Sequence, residues 1–238
     1  MRAIKCEICG SADVVKQNGL FVCQYCGAGY SVEEVRKLIG SVRIDRTEDT
    51  ENYMTLARRF LHENNYVKAE EYFELVLRND PNNLEAVYFL PFCNAMKTNL
   101  MALEYAAAGF RQSLNTVFTA IGESDSDERL IGTYTDLVFS NTLYFCSCQY
   151  HSAAKAYPAI AKDPAMTVCF RAVNRGMAEL ASIYAFLETT LRDRYPESLG
   201  LLQRVQKEEL AFYDTVGKYM MKPIRLMKEK KRLKREMK

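Results

Sequence analysis

The chain has 238 residues, of which 48% are hydrophobic, and its 32 basic residues nearly balance its 30 acidic residues. It is long enough to bury a substantial core, and it has no run of about 20 apolar residues such as a membrane-spanning helix needs. The first ten residues, MRAIKCEICG, lack the apolar stretch of a secretory signal, which predicts a cytoplasmic protein. In that reducing compartment, paired cysteines are expected to bind metal or act in redox chemistry.

The charge is unevenly distributed along the chain. Residues 222–238 contain nine lysines and arginines against two glutamates, so residues 1–221 carry a net charge of −5. Any electrostatic attraction for nucleic acid or an anionic surface is therefore expected in the C-terminal segment.

Four cysteines near the start of the chain have the spacing of a zinc site. Two CxxC pairs are separated by 13 residues and comprise Cys6, Cys9, Cys23 and Cys26. Four thiolates surround Zn²⁺ tetrahedrally and leave no open position for water or substrate. Gly10 and Gly27 follow the two pairs directly, which suits tight turns with positive φ. The pattern predicts one structural Zn²⁺ with these four ligands.

The residues between the two cysteine pairs predict a hairpin. Val14 and Val15 lead into Asn18-Gly19, a type I′ turn signal, and residues 20–22 lead back. Two other interpretations of the cysteines are a thioredoxin-like redox pair and four unrelated thiols. The redox interpretation expects a βαβ context, which the sequence lacks, and neither alternative explains two matched CxxCG units.

The two CxxCG units around a hairpin resemble the zinc ribbons of general transcription initiation factor B and related proteins. The resemblance covers about 30 residues and implies a ribbon fold, whereas zinc ribbons serve many functions. Residues 1–40 carry a net charge of only +1, which is little for tight phosphate binding. Ser31 and Glu34 form a capping-box pattern that predicts a short helix ending at Gly40. The polar segment 41–50 is interpreted as a linker.

A helical repeat is predicted after the linker. Small and aromatic residues recur at the positions of a tetratricopeptide repeat: Tyr53, Leu56, Ala57, Phe60, Ala69, Phe73 and Pro81. This part of the chain resembles a tetratricopeptide repeat over residues 51–84, with 62–66 as its inner turn. The register fades afterwards, and Pro91 lies inside the next helical segment. Because one repeat cannot bury its own apolar face, the following helices are expected to cover it.

The order of these modules resembles a group of bacterial zinc-ribbon plus tetratricopeptide proteins common in gut Firmicutes. The resemblance rests on the CxxCG ribbon, the YSVEE helix and the repeat NYVKAEEYFELVLRNDPNNLEA. It covers roughly the first 90 residues and implies a cytoplasmic protein, with no activity to carry over.

Further helices are expected over the rest of the chain, at 99–122, 127–150, 163–174, 175–195 and 196–221. The fold class is therefore predicted as mainly α, with a small N-terminal β zinc ribbon, an all-α tetratricopeptide-like array over 51–221 and a basic C-terminal helix over 222–238. That tail is expected either to be solvated or to contact RNA, DNA or anionic lipid.

Other sequence features give weak support for further sites. The acidic stretch 122–128 lacks the glycine and terminal glutamate of a calcium loop in register. Cys148 and His151 share a helix face, but two ligands are too few for a second metal site, and Cys93 and Cys169 lie among apolar residues. The chain contains no GxxxxGK[ST], GxSxG, HExxH or GxGxxG motif, so an enzyme is not expected.

The sequence therefore predicts a non-enzymatic adaptor that binds protein partners through the ribbon and the helical array. The alternative is a transcription- or RNA-associated protein that docks through the ribbon and contacts nucleic acid through the tail. An enzyme site in the helical part is a third hypothesis. The candidate partner-binding residues are Tyr66, Tyr72, Lys230, Lys231, Arg232, Lys234 and Arg235.

Overall fold

The structure is a computed structural model, which describes residues 6, 8–17, 20–31, 34, 47–124, 128–220 and 223–237. The chain divides into two compact units, Met1–Glu48 and Asp49–Lys238. A small antiparallel sheet lies in the first unit, and the second is helical. The predicted mainly-α class with a small N-terminal β element is confirmed.

The sheet has three short strands, β1 (Val14–Gln17), β2 (Leu20–Cys23) and β3 (Gly29–Tyr30), in the order β1-β2-β3. Both pairings are antiparallel, with Val14 opposite Cys23 and Phe21 opposite Tyr30. Its small core consists of Cys6, Cys23 and Tyr30, with three partly buried apolar neighbours. So small a core cannot hold a three-stranded sheet alone. The predicted Asn18-Gly19 turn lies outside the described residues.

Eight α-helices lie in the described residues. They are α1 (Thr47–His62), α2 (Tyr66–Asn79), α3 (Leu84–Met96), α4 (Leu103–Gly122), α5 (Glu128–Ile160), α6 (Thr167–Arg194), α7 (Leu199–Val216) and α8 (Pro223–Glu236). A 3₁₀ turn, Pro164–Met166, precedes α6. Successive helices pack from α2 to α4, while α4 also packs against α6 and α5 against α7.

Two asparagines shape the turn between α1 and α2. Asn64 has φ +56°, a left-handed conformation that asparagine tolerates better than most residues. The Asn65 side chain accepts a hydrogen bond from the Lys68 amide at 3.2 Å and so caps α2. The ring of Phe60 then stacks on Tyr72 with centroids 5.5 Å apart. The turn predicted at 62–66 thus joins two helices whose aromatic rings are in contact.

Pro91 lies inside α3 without ending it. A proline in a helix interior removes one backbone hydrogen bond and costs about 3 kcal/mol. Most of the helix surface is buried, and its buried side chains include Tyr88, Phe89 and Phe92. Burying three aromatic side chains contributes several kcal/mol by the usual transfer scale, so packing outweighs the local cost of the proline.

Two predicted helix boundaries are wrong. The helix expected to end at Tyr150 continues to Ile160, because Ala153, Tyr157 and Ile160 extend its buried stripe. The helices expected at 163–174 and 175–195 are one helix, α6. Gly176 does not break it: a Cβ at this position would lie 3.0 Å from the Leu103 side chain, so the glycine permits α4 and α6 to approach closely.

The remaining boundaries differ by a few residues. Helix α1 begins at Thr47, within the segment interpreted as a linker, whereas residues 35–46 lie outside the described part of the chain. Helix α4 begins at Leu103 rather than at residue 99, and α7 covers Leu199–Val216 rather than 196–221. Pro196 therefore lies before the first turn of α7.

Candidate metal centre and docked C-terminal helix

The four predicted zinc ligands come together in the first unit. Their sulfur atoms all lie within 4.8 Å of one another, with Cys6 Sγ 3.4 Å from Cys26 Sγ and Cys9 Sγ 3.6 Å from Cys23 Sγ. Four sulfurs at about 2.3 Å from a tetrahedral Zn²⁺ are separated by about 3.8 Å. The cluster therefore has the size and the donor set to hold a metal ion.

The backbone of each CxxC pair folds into the same tight turn. The Gly10 amide donates to the Cys6 carbonyl at 2.7 Å, and the Gly27 amide donates to the Cys23 carbonyl at 2.9 Å. Both glycines have positive φ, +75° and +73°, which a residue with a Cβ adopts only at a cost. The matched CxxCG units thus position two equivalent pairs of thiols.

A tyrosine supports the cluster from β3. The hydroxyl of Tyr30 lies 3.1 Å from Cys6 Sγ, within the buried core of the unit. This hydrogen bond, together with backbone amides, lowers the pKa of Cys6 to about 6 despite burial. At Cys9 the Ser11 backbone favours the thiolate, but desolvation and the other thiols outweigh it and raise the pKa to about 12. Four thiolates this close repel one another unless a cation lies between them.

Each CxxC turn exposes a large apolar side chain at the same position. Ile8 precedes Cys9 and is 75% exposed, and Tyr25 precedes Cys26 and is 83% exposed. Neither side chain belongs to the small core around Cys6, Cys23 and Tyr30. The two turns therefore present apolar surface to solvent.

The remaining four cysteines lie in the helical unit, outside the N-terminal cluster. Cys93 and Cys146 are buried, and burial raises the pKa of the Cys93 thiol to about 12. His151 Nδ1 lies 2.8 Å from the Ser147 carbonyl, within its own helix. In the part of the chain that the structure describes, no group of three or more His, Cys, Asp or Glu other than the four N-terminal cysteines is close enough to share an ion.

The predicted capping box is present. The Ser31 amide donates to Glu34 Oε2 at 2.8 Å, and the Glu34 amide donates to Ser31 Oγ at 3.1 Å. The rest of the predicted helix, through Gly40, lies outside the described residues.

The two candidate partner-binding tyrosines are both partly engaged in packing. Tyr66 meets Phe92 edge-on with centroids 6.2 Å apart, and its hydroxyl donates to Asn64 Oδ1 at 2.8 Å. Tyr72 stacks on Phe60 and lies 6.3 Å from Tyr53. Both rings remain partly exposed.

The basic C-terminal segment forms a helix, and this helix is docked rather than solvated. Leu233 is fully buried, and Lys230 pairs with Asp214 of α7. Arg232 donates to Glu188 of α6 at 3.0 Å and lies 3.6 Å from Glu209 of α7. The candidate residues Lys230 and Arg232 are therefore occupied within the chain, whereas Lys231, Lys234 and Arg235 are exposed.

The docked helix faces a pair of buried carboxylates. Glu188 is 3% exposed and Glu209 is 2% exposed. Burial and the neighbouring Glu188 carboxylate raise the pKa of Glu209 to about 8, although Arg232 opposes the shift. Arg192 of α6 donates to Glu188 at 2.8 Å and to Glu236 of α8 at 2.9 Å. Charges from α6, α7 and α8 thus converge at this interface.

The buried pair is not among the residues predicted from the sequence, although a signal for it exists. Glu209 occupies the buried stripe of α7 that includes Val205, Phe212 and Val216, and Glu188 follows Leu187 in the stripe of α6. A carboxylate in an apolar stripe needs a cationic partner, and the only strongly basic segment is the tail.

Comparisons with protein-family models, with curated proteins and with solved structures find no match to this chain. No helix in the described residues is both long and apolar enough to cross a membrane. The resemblances to zinc ribbons and to tetratricopeptide repeats therefore stay interpretations of the chain's own residues.

Proposed function

We propose that this chain is a non-enzymatic adaptor, with a zinc ribbon and a tetratricopeptide-like helical array that each bind protein. The observation that carries the proposal is the exposure of Ile8 and Tyr25 on the two metal-binding turns. Exposed large apolar side chains at matched positions are typical of surfaces that dock on another protein.

The metal is Zn²⁺ held by Cys6, Cys9, Cys23 and Cys26. The all-sulfur donor set and the sulfur separations support zinc over hard cations, which prefer oxygen. With four protein ligands the ion has no open coordination position, so its contribution is to stabilise the fold. It replaces the core that the three short strands lack.

The tetratricopeptide interpretation is supported by the packing of α1 and α2. Ala57 and Ala69 are fully buried where small residues are expected, and Phe73 is fully buried and stacks on Phe89 of α3 at 5.4 Å. Helix α3 thus covers the face that one repeat leaves open. Exposed apolar residues on this unit, such as Val67, Tyr105 and Tyr144, offer contact surface to a partner.

Nucleic-acid binding through the tail is the second candidate function. It is favoured by the exposure of Lys231, Lys234 and Arg235 on α8. It is weakened because Lys230 and Arg232 are already paired with acidic residues of the same chain. Among the described basic residues of α8, Lys228, Lys231, Lys234 and Arg235 remain exposed, and four cations support only modest phosphate binding.

The test is affinity capture of the tagged full-length protein from its native cell extract, with and without nuclease, for the wild type and for a ribbon variant. The variant is Ile8→Asp with Tyr25→Asp, and Gln24→Asp, in the same turn and exposed, is the matched control. Zinc content and helicity are measured for each protein, so that misfolded variants are recognised.

The proposal expects protein partners that survive nuclease, persist with Gln24→Asp and are lost with the double variant. Partners that disappear with nuclease, and with Lys231, Lys234 and Arg235 all changed to Glu, would instead establish the nucleic-acid function. Retention that is unchanged in the ribbon double variant contradicts docking through the metal-binding turns.

A further inference from the structure

A large cleft lies between α6, α7 and α8 of the helical unit. Its volume is about 820 Å³, within the range of roughly 300 to 1,000 Å³ that is usual for small-molecule sites. Ala181 and Ala185 of α6 line one wall, and Tyr213, Met220 and Leu226 line the other. The body of the cleft is thus apolar.

The cleft has a polar end built on the buried carboxylate pair. Glu188, Glu209, Glu229 and Glu236 face two guanidinium groups there, those of Arg192 and Arg232. Among the described residues at this end, four carboxylates face two guanidiniums, which leaves an excess of two negative charges when all are ionised and of one when Glu209 holds its proton. The site is therefore short of positive charge.

Two buried oxygen atoms at this end accept no hydrogen bond from the described residues. They are Glu188 Oε1 and Glu209 Oε2, on residues that are 3% and 2% exposed. Buried acceptors are normally satisfied in a folded protein. Asn174 Oδ1, also buried and without a donor, lies on the cleft wall 14 residues earlier on α6, about 21 Å along the helix.

The guanidinium groups do not offer an anion site, because each already holds a carboxylate. Arg232 donates to Glu188 and Glu229 at 3.0 and 2.9 Å, and Arg192 donates to Glu188 at 2.8 Å. Arg175, further along the wall, donates to Glu104 at 2.5 Å. The cleft can therefore accept a ligand that brings hydrogen-bond donors and positive charge.

We infer that this cleft binds a small organic cation, a protonated amine on an elongated apolar body. The ammonium group donates to Glu188 Oε1 and Glu209 Oε2, while the apolar body lies along Ala181, Ala185 and Leu226. Burial strengthens such a charge-assisted contact, and the apolar wall adds area removed from water. The site is independent of the proposed adaptor function.

The test uses monodansylcadaverine, a primary amine joined by a five-carbon chain to an environment-sensitive fluorophore, with the full-length zinc-loaded protein. The control ligand is its N-acetyl derivative, which keeps the shape and loses the cation. Titration of the wild type is expected to give a saturable fluorescence increase. Acetylation is expected to weaken binding about tenfold or more, since it removes the charge-assisted bonds.

Two protein variants test the location. Glu188→Gln is expected to weaken binding of the probe about tenfold, but it also alters the contact with Arg232. Ala185→Phe therefore provides a second variant that fills the cleft without changing a charge. Ala159→Phe, at an exposed position on α5 outside the cleft, is the matched control and is expected to bind like the wild type. Far-UV circular dichroism verifies folding of each protein.

Several results would overturn the inference. One is no saturable signal from the wild type up to about 1 mM probe, the limit of weak specific binding. Equal affinity for the amine and its acetylated form would show that the carboxylates do not bind the ammonium group. Binding that survives Ala185→Phe in a folded protein would place the probe elsewhere.

Discussion

Arg232 of α8 donates a hydrogen bond from Nη1 to Oε2 of Glu188, a buried carboxylate of α6, at 3.0 Å. The two residues lie 44 positions apart in the chain, and their contact holds the basic C-terminal helix against the helical unit. Removing one partner of a buried ion pair leaves an uncompensated charge, which costs more than the pair itself contributes.

We therefore predict that Arg232→Met lowers the free energy of unfolding of the helical unit by about 2 to 4 kcal/mol. The substitution keeps much of the side-chain volume but removes the cation next to Glu209 and leaves Glu188 with Arg192 as its remaining described partner. Urea unfolding followed by circular dichroism measures the change. Arg235→Met, an exposed position on the same helix, is the control and should stay within about 0.5 kcal/mol of the wild type. Equal stability of the two variants would contradict a structural role for Arg232.

Zinc removal should affect only the first unit. We predict that Cys23→Ser abolishes stoichiometric zinc binding, because Cys23 is one of four clustered ligands and is fully buried. Limited proteolysis should then cleave within residues 6–31, while the helical signal persists. Cys148→Ser, a cysteine outside the cluster, should leave zinc content at one per chain. Intact zinc binding in Cys23→Ser would mean that the four-ligand assignment is wrong.

The supporting tyrosine gives a finer test of the same centre. Tyr30→Phe keeps the ring in the core but removes the hydroxyl that lies 3.1 Å from Cys6 Sγ. Loss of a hydrogen bond to a metal ligand typically lowers metal affinity by about 10- to 100-fold, and we expect a loss in that range. Competition with a chromophoric chelator measures it. Tyr25→Phe, exposed and outside the core, is the control. Equal metal affinity of the two variants would show that the Tyr30 hydroxyl does not contribute to metal binding.

The cysteine cluster and the docked C-terminal helix differ in how far apart their contacting residues lie in the sequence. This difference explains which of the two could be predicted from the sequence. The four cysteines and their glycines lie within a span of 22 residues, so local spacing and turn chemistry suffice to bring them together. Similarly, the helical periodicity of Ala57, Ala69 and Phe73 is local information. These elements could be predicted without knowledge of the tertiary fold.

The docked tail could not be predicted in this way. Glu188, Glu209 and Arg232 belong to three helices whose packing depends on contacts far apart in sequence. By composition alone, nine basic residues near the C-terminus indicate a solvated or nucleic-acid-binding segment. The segment docks because one leucine, Leu233, is buried and because α6 and α7 place Glu188 and Glu209 within reach of Arg232. Only the tertiary fold shows either feature. Gly176 is a similar case. Helix propensity alone does not show whether this glycine ends a helix or permits close packing against Leu103.

The last prediction concerns pH. Burial and the Glu188 carboxylate raise the pKa of Glu209 to about 8 from its ordinary value of 4.5. Between these two pH values the folded protein keeps a proton on Glu209 that the unfolded chain has released. Stability contributed by this residue is therefore complete below about pH 4.5 and is lost as pH rises toward 8, at up to about 1.4 kcal/mol per pH unit. The charged or titratable groups that act on it from the described residues are Glu188 and Tyr184 of α6, Tyr213 of α7, and Glu229 and Arg232 of α8.

We predict that Glu209→Gln removes this dependence, because the amide is isosteric with the protonated acid and does not titrate. The free energy of unfolding of the variant should exceed that of the wild type by an amount that grows between pH 5 and pH 8, measured by urea unfolding at each pH. Glu208→Gln removes one negative charge from the neighbouring, more exposed position and should keep the pH profile of the wild type. A constant difference between Glu209→Gln and the wild type across this range would show that Glu209 is ionised in the folded protein. Arg192 and Arg232 would then be the described cations that balance the buried negative charge between α6, α7 and α8.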